Sequence, residues 1–412
     1  MKRLIQSLYH GTVGIVLFCY YRLPSKLRRV ISPGVKVISL RLKLLLMLVL
    51  QFRRECFMIH GRKKNSEMRI LYIGQKTRLS HILQSASLEE SAIKEHKKIF
   101  LWETRKTLRS GMKNSDLIIV EVNPLLAKRA QKAGLMLIPE WVSFFMKTTA
   151  ALSELIKNSG RSLKENMRRV KSYKFSYELS TDPEKFIFFY HRMYIPYISK
   201  RYSQLAYLRN FHLLRSLFSA GAILFVTYNG EYIAGNILAF RDGTLRSSCV
   251  GILDGDEGYL KKGVISALNY FILEWAARQN FKMVDFGLSM AFLNDGVFLY
   301  KKNWGMTVKK HEYTTTFWGL KVCRFNEGVC NFLENNPFVF DNNGELEGLV
   351  FIKNESPVGM SEIRQVYKTF WTDGLSKLNL LSSSGFVDIF IDSECRDLCL
   401  VSKDFLAGHA RV

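Results

Sequence analysis

The chain has 412 residues, 48% hydrophobic and 23% charged, which is the composition of a globular protein of two or three domains and excludes disorder as its default state. Its formal charge is +24, and residues 1–66 hold 14 Lys and Arg against the single acidic residue Glu55. This excess of positive charge favours a polyanionic partner, which is either the anionic face of a membrane or a nucleic acid. Composition alone does not separate these two classes of partner.

The basic N-terminal segment contains two apolar stretches. Residues 4–21 carry no charge and approach the minimum length of a spanning helix, although polar residues crowd their first half. Residues 44–52 are too short to cross a bilayer and suit an interfacial helix flanked by cations. We therefore expect residues 1–60 to contact an anionic membrane surface; a pair of buried core helices, or a start codon assigned too early, are the alternatives. A signal peptide is disfavoured because no small-residue cleavage site follows Tyr21.

The seven cysteines are scattered, with no Cys-x-x-Cys pair, which indicates a reduced, cytoplasmic protein. Cys395 and Cys399 are one helical turn apart, but no nearby His or Cys completes four ligands. We expect them to pack as small hydrophobic side chains, and we expect no metal.

Alternating strands and helices follow the basic segment. Residues 68–74, 116–122 and 134–138 are predicted to be buried strands, and residues 124–132 a helix that begins near a proline. This pattern predicts a small α/β domain over residues 67–150, with residues 141–146 leading out of it.

A basic helix is predicted next, over residues 159–170. Arg161, Lys164 and Arg168 recur at three and four residues and so share one face. A face of one sign suits an anionic substrate or cofactor, whereas the alternative is an ordinary solvated face.

The following 150 or so residues give a clear order of elements. Two helices come first and a three-stranded antiparallel meander follows, with turns at Asn229-Gly230 and Asp242-Gly243. An amphipathic helix and one more strand complete the order. The predicted helices are residues 186–198, 211–219 and 263–279, and the predicted strands are 222–228, 231–240, 244–253 and 282–286.

The last of these strands runs into the sequence Asp285-Phe286-Gly287-Leu288-Ser289, and Tyr300-Lys301-Lys302-Asn303-Trp304-Gly305 follows eleven residues later. We predict that the strand ends at a sheet edge and that a basic, aromatic loop returns beside it, which is the layout of a substrate site. Asp-Phe-Gly is also the metal motif of protein kinases. The chain lacks their Gly-rich loop, strand lysine and His-Arg-Asp loop, so a kinase is excluded.

The whole order resembles the GNAT acyltransferase fold, and over about residues 140–320 its motifs are similar to those of the FemAB-like branch. These motifs are the basic segment 161–169, the helix from Phe189 to Arg201, the loop before residue 263, the Asp-x-Gly-x-Ser strand and the Tyr-Lys-Lys-Asn-Trp-Gly segment. The resemblance implies an α/β fold with mixed sheets and two tandem GNAT-like halves. Residues 1–66 would be a membrane-proximal segment, 67–150 a reduced first half, 151–320 the acyltransferase domain and 321–412 a C-terminal α/β extension.

The resemblance also implies an activity. It is transfer of an acetyl or other acyl group from coenzyme A, or of an aminoacyl group from a charged tRNA, to an amine. The acceptor would be a small molecule such as a sugar, a cell-envelope precursor or a peptide, and tRNA would take part only as donor. The second hypothesis is an inactive GNAT-like domain that binds RNA or anionic lipid through its basic surface.

The cofactor loop departs from the superfamily pattern. Lys261 and Lys262 precede a single glycine, Gly263, where acetyl-CoA-dependent members have a glycine pair before a helix N-terminus. These three residues are the expected cofactor contacts, and the identity of the donor stays open between acyl-CoA and aminoacyl-tRNA.

Acyl transfer to an amine needs a path for the amine proton, a donor for the carbonyl oxyanion and tight positioning of both substrates. We expect Asp285 to orient or deprotonate the acceptor, Ser289 to position it and Lys301 to stabilise the oxyanion or bind an anionic substrate. The structural alternatives are a turn cap at Gly287 for Asp285 and a surface charge for Lys301. The expected substrate contacts are Arg161, Arg168, His191, Arg201, Gly287, Tyr300 and Trp304. For His191 and Trp304, packing is the alternative role.

Overall fold

The computed structural model describes residues 40–49, 52–63, 66–86, 90–148, 161–202, 208–241, 243–386, 395 and 397–406. The apolar stretch 4–21 lies outside these residues. Within them, no helix combines the length and the apolar character that crossing a membrane requires.

The larger of the two sheets has ten strands and draws on both ends of the chain. In spatial order it runs β17-β16-β15-β14-β5-β13-β4-β2-β1-β3. Its strands are β1 (Arg53–Lys63), β2 (Ser66–Gly74), β3 (Glu90–Phe100), β4 (Leu117–Val122), β5 (Met136–Pro139), β13 (Phe317–Val322), β14 (Phe338–Asn342), β15 (Glu345–Ile352), β16 (Lys377–Ser382) and β17 (Leu398–Val401). The three strands expected between residues 68 and 138 are thus confirmed as β2, β4 and β5.

The smaller sheet has seven strands in the order β12-β6-β11-β10-β9-β8-β7. They are β6 (Trp141–Lys147), β7 (Ser176–Ser180), β8 (Gly221–Tyr228), β9 (Glu231–Arg241), β10 (Thr244–Ile252), β11 (Met283–Met290) and β12 (Thr307–Lys310). Residues 141–146, expected to lead out of the first domain, pass from the larger sheet into the smaller one, where they form β6; that they form a strand, paired with both β11 and β12, was not predicted.

Helices fill the connections and cover the sheets. They are α1 (residues 40–49), α2 (Leu79–Ala86), α3 (Thr104–Asn114), α4 (Ala127–Lys132), α5 (Arg161–Ser172), α6 (Pro183–Phe188), α7 (Ile195–Tyr202), α8 (Phe211–Ser219), α9 (Glu257–Lys261), α10 (Val264–Arg278), α11 (Gly296–Asn303), α12 (Glu327–Asn335) and α13 (Met360–Phe370). Several begin directly after an Asp or Asn whose side chain accepts a hydrogen bond from the first turn, as Asp182, Asn210, Asp256, Asp295 and Asn326 do.

The aromatic helix predicted over residues 186–198 contains a π-helical turn, Phe189–Tyr194, between α6 and α7. Pro196 is the second residue of α7, where its missing N–H costs little, so the helical path continues past it. Phe189 and Met193 pack from this turn against Phe225 and Ile237 on one face of the smaller sheet. The opposite face packs under α10.

The seven-stranded sheet has the order of elements expected for the GNAT fold. The strands β8, β9 and β10 form an antiparallel meander, α10 crosses it, and β11 returns parallel to β10. This arrangement confirms the predicted fold class.

The strands that share the larger sheet come from all four segments proposed from the sequence, since β13 begins in the third. The boundary predicted after residue 66 falls inside β2, and the one after residue 320 falls inside β13. Sheets need not coincide with domains, so the division into four segments stays a prediction.

Candidate active site

The centre of the site is an irregularity in β11. The expectation that this strand ends near Gly287 at a sheet edge is wrong, because β11 continues to Met290 and lies between β6 and β10. Its pairing with β6 shifts register between Asp285 and Leu288, and Gly287 has a φ of +75° within the shift. Such a conformation favours glycine, which explains the residue at this bulge.

The two parallel strands β10 and β11 separate at the same place. Their pairing ends with Arg246 opposite Asp285, although β10 continues to Ile252 and β11 to Met290. A gap between parallel strands leaves main-chain N–H and C=O groups available to a substrate. The separation therefore gives the sheet a natural place for a ligand.

The Asp285 carboxylate is held at both oxygens. The Gly287 N–H donates to Oδ1 at 2.8 Å, and Arg246 Nε lies 3.3 Å from Oδ2. The turn-capping role considered for Asp285 is thus present in the structure, and its role as orienting group or base stays a prediction. Arg246 was missed from the sequence, where it is one of several polar residues along β10.

Lys301 lies on a helix, not on the loop expected from the sequence. The helix α11 spans Gly296–Asn303 and buries Lys301 to 8% exposure. Lys301 Nζ donates to the carbonyl oxygens of Gly287 at 3.1 Å and Leu288 at 2.8 Å. Lys301 is therefore a buried cation that bridges the bulge, and the surface-charge alternative is wrong.

Burial lowers the pKa of Lys301 to about 8, an effect that the nearby carboxylates of Asp285 and Asp295 partly oppose. An ammonium group carries three N–H donors, and two of them go to the bulge carbonyls. The third has no oxygen or nitrogen acceptor among the described residues. Nζ also lies 5.4 Å from the centre of the Phe144 ring.

Ser289 and Asp295 explain how α11 is fixed to the strand. Asp295 Oδ1 accepts from the N–H groups of Val297 and Phe298, which caps the helix. The buried Ser289 donates its hydroxyl to the same oxygen at 3.1 Å. Ser289 thus anchors the helix that carries Lys301, while its predicted contact with an acceptor stays a prediction. In the sequence, an Asp directly before the helix, Asp295, is the pattern that marks the start of α11.

The two aromatic residues of the second motif pack in the same core region, with ring centres 6.4 Å apart. The Tyr300 hydroxyl lies 3.2 Å from both Ser266 Oγ and Asn269 Nδ2 on α10, and burial raises the pKa of Tyr300 to about 12. Trp304 is a core residue. Tyr300 therefore links α11 to α10, and the packing alternative for Trp304 accounts for its position.

The basic face of α5 is not of one sign. Glu165 lies 3.6 Å from Arg168 and 3.5 Å from Arg169. Arg161 is the first residue of α5, and its side chain lies outside the described part of the structure. The contacts of Arg168 that the structure describes are local, so its role in substrate binding stays a prediction.

The remaining substrate candidates lie along the aromatic helix. His191 is exposed on the π-helical turn with its ring 5.1 Å from that of Tyr190, and Arg201 stacks over Tyr197 at 5.8 Å near the end of α7. These ring contacts lie within one helical segment and do not reach the bulge of β11. The substrate roles of both residues stay predictions.

The predicted cofactor loop joins α9 to α10. Lys262 Nζ lies 4.6 to 5.7 Å from the ring centres of Tyr173, Tyr228 and Tyr259, so aromatic rings surround this cation. Gly263, with φ of +86°, precedes the first residue of α10, and Lys261 is exposed. Lys261 is thus the exposed cation of this loop, and it lies just before the N-terminus of α10.

One polar pair beside the site was not predicted. Ser143 Oγ lies 3.1 Å from His311 Nδ1, and Ser143 is opposite Leu288 in the pairing of β6 with β11. Burial lowers the pKa of His311 to about 4, assisted by Arg246 and Lys43, so the imidazole is neutral at pH 7. Ser143 and His311 are 168 residues apart in sequence, and no local pattern joins them.

Seven strands in this order, with a helix across the meander and a bulged parallel strand beside it, define a GNAT-type fold.

No family model matches the sequence, and no curated protein matches it significantly. Among solved structures, the chain is similar to FemX, with 11% identity, a TM-score of 0.35 and coverage of 67% of this chain and 86% of that one. It is similar to L-PGS from Bacillus licheniformis, with 11% identity, a TM-score of 0.32 and coverage of 66% and 86%. It is also similar to a GCN5-related N-acetyltransferase from Sphaerobacter thermophilus, with 9% identity, a TM-score of 0.30 and coverage of 63% and 74%.

Proposed function

We propose that the chain is an N-acyltransferase of the FemAB-like GNAT type. It transfers an acetyl, other acyl or aminoacyl group to an amine of a sugar, a cell-envelope precursor or a peptide. One observation carries this proposal: a buried lysine with a pKa of about 8 bridges the bulge at which β10 and β11 separate, next to the carboxylate of Asp285.

The reaction balances without a further reactant. The amine nitrogen attacks the acyl carbonyl carbon, a C–N bond forms, and the C–S bond of a thioester or the C–O bond of an ester breaks. The amine loses a proton to Asp285 or to water, and the departing thiolate or alkoxide takes up a proton. Lys301 serves as the oxyanion donor through its third N–H, since a preorganised buried donor stabilises developing charge better than water does.

Asp285 suits the orientation of an ammonium or amine substrate. Its carboxylate is fixed by the Gly287 N–H and by Arg246, so little reorganisation is needed when a substrate arrives. Ser289 and Asp295 contribute by fixing α11, and with it Lys301, against the strand.

The donor is an acyl-CoA or an aminoacyl-tRNA, and both carry phosphate groups. Lys261 and the free N–H groups at the start of α10 are the residues that would hold a phosphate, because a long helix offers partial positive charge at this end. Lys262 already lies among three tyrosine rings, so it contributes less.

We expect the protein in the cytoplasm, where both donors occur, because its cysteines show no pairing pattern.

The test begins with a thermal-shift screen of acetyl-CoA, longer acyl-CoAs and charged tRNA, because a ligand well above its dissociation constant raises the melting temperature. The stabilising donor is then combined with amine acceptors, and acylated products are detected by mass spectrometry. Asp285→Asn and Lys301→Ala should each lower transfer by about 100-fold or more while the melting temperature shows a folded protein. Full activity in both variants would overturn the assignment, and salt-dependent RNA binding without any turnover would favour the inactive binding domain.

A further inference from the structure

The helix α1 exposes an unusual amount of apolar surface. Eight of its ten residues are apolar, yet only Leu44 is buried. Leu42, Leu45 and Val49 are each more than half exposed, and their spacing of three and four residues places them on one side of the helix. A helix that is apolar nearly all round is normally enclosed by protein or by lipid.

The position of α1 is fixed by contacts with the larger sheet. Asn123 Nδ2, just after β4, donates to the Leu44 carbonyl at 3.0 Å, and the Phe52 N–H donates to the Val49 carbonyl at 3.2 Å. The buried Leu44 side chain packs on the protein side. The outward apolar side of α1 is thus held in a defined orientation.

Three exposed aromatic rings continue this surface. Phe52 lies 5.9 Å from Phe100 and 4.8 Å from Trp102, and the rings of Phe100 and Trp102 stack at 4.6 Å. The Leu101 N–H donates to the Phe52 carbonyl at 2.8 Å, which ties the two segments together. Their exposed fractions range from 39% to 62%.

We call Leu42, Leu45, Val49, Phe52, Phe100 and Trp102 the apolar-aromatic face. The segments that carry it, residues 41–54 and 97–109, contain nine Lys and Arg and one acidic residue, Glu103. Glu103 is already engaged, since its carboxylate accepts from the Phe100 N–H at 2.6 Å. The Arg53 guanidinium lies 6.0 Å from the centre of the Phe100 ring. The segments that carry these apolar and aromatic side chains therefore have a strong excess of positive charge.

We propose that the apolar-aromatic face docks on the surface of a bilayer that contains anionic lipids. Its apolar side chains enter the boundary between headgroups and acyl chains, where Trp is favoured, and the surrounding cations contact lipid phosphates. A second copy of this chain is a poorer occupant, because the exposed cations of the two segments would face each other; Arg54, which is buried, is not among them. Nucleic acid would pair with the cations but leave the leucines of α1 without a partner.

The proposal goes beyond acyl transfer and is tested without it. The full chain is sedimented with vesicles of phosphatidylcholine alone and with vesicles that also contain phosphatidylglycerol. We expect binding to the anionic vesicles, weakening as salt is raised. The double variant Phe52→Ser with Trp102→Ser should lower the partition coefficient by about tenfold or more, because it removes two interfacial aromatic side chains.

The matched control is Ile187→Ser with Leu213→Ser, which removes two apolar side chains of similar exposure, 42% and 49%, on α6 and α8. This control should bind as the wild type does. A lipid carrying a bromine quencher in its acyl chain should quench wild-type fluorescence, and Trp102→Phe should remove most of that quenching.

Three results would overturn the proposal. The first is unchanged vesicle binding by the aromatic double variant, which would assign binding to another part of the chain such as residues 1–39. The second is equal loss in the control variant. The third is failure of the wild type to bind anionic vesicles. If the wild type instead forms a dimer that the aromatic double variant abolishes, the face is an interface between two copies of the chain. None of these outcomes depends on catalytic turnover, so the docking surface and the proposed reaction can fail separately.

Discussion

Replacement of Lys301 by Met offers the sharpest test of the site. Met keeps the length and apolar stem of the side chain but removes the charge and the donors to Gly287 and Leu288. Loss of one preorganised oxyanion donor typically lowers kcat by about 100-fold to 1,000-fold. We expect a decrease of that size in acyl transfer at pH 7, measured with saturating donor and acceptor.

The pKa of Lys301 makes this effect dependent on pH. With a pKa of about 8, roughly nine-tenths of the side chain is protonated at pH 7 and roughly one-tenth at pH 9. The ratio of wild-type to Lys301→Met activity should therefore shrink by about tenfold over this range. The ratio is the proper measurement, because deprotonation of the acceptor amine raises both rates together.

Lys302 supplies a matched control for this variant. Burial also lowers the pKa of Lys302 to about 8, and its Nζ also donates to two carbonyl oxygens, those of Lys368 and Thr369. These carbonyls belong to α13 and not to the bulge. Lys302→Met should keep kcat within about threefold of the wild type. Equal losses in the two variants, or an activity ratio that does not change with pH, would refute the role given to Lys301.

Three further predictions concern stability, each measured by urea unfolding. The pKa of Lys301 is lowered in the folded state, so the unfolded chain binds more protons than the folded chain between pH 8 and 10.5. The unfolding free energy of the wild type, relative to that of Lys301→Met, should therefore rise by up to about 3 kcal/mol across this pH range. A decrease would contradict the burial of this cation. Gly287→Ala should lower the unfolding free energy by about 1–2 kcal/mol, because Gly287 has a φ of +75°. Gly296→Ala, in the first turn of α11, should leave the unfolding free energy unchanged. Equal effects of the two substitutions would argue against the bulge. Asp295→Ala should cost about 1–2 kcal/mol through loss of the cap of α11, and a neutral result would argue against that cap.

Elements governed by local chemistry were predictable from the sequence. The turn at Asn229-Gly230 has positive φ at both residues, as its composition requires, and α8 has the predicted bounds of 211 and 219. The two turn signals predicted the meander, and the spacing of apolar residues predicted the helix after it. These segments were predictable because each carries its own turn or cap residues.

The site itself was only partly predictable. Asp285, Gly287 and Lys301 were expected to lie near each other, and the structure joins them by hydrogen bonds around one bulge; their roles stay predictions. Their environment was not predictable, because the register shift of β11 depends on β6, a strand that the sequence pattern did not reveal. Arg246 and His311 were missed for the same reason, as both reach the site by pairing of distant strands.

The two proposed catalytic groups are physically coupled through a single residue. Gly287 donates its N–H to Asp285, and its carbonyl oxygen accepts from Lys301. A change at either side chain therefore alters the position of the backbone that holds the other, and groups linked in this way show coupling energies of about 0.5–3 kcal/mol. In a double-mutant cycle of Asp285→Asn and Lys301→Met, the loss of activity in the double variant should be clearly smaller than the product of the single losses. Lys302→Met removes contacts with α13 and not with the bulge, so it should combine with Asp285→Asn multiplicatively. Independent effects of Asp285 and Lys301 would mean that the bulge does not transmit their contacts, and the shared site would have to be abandoned.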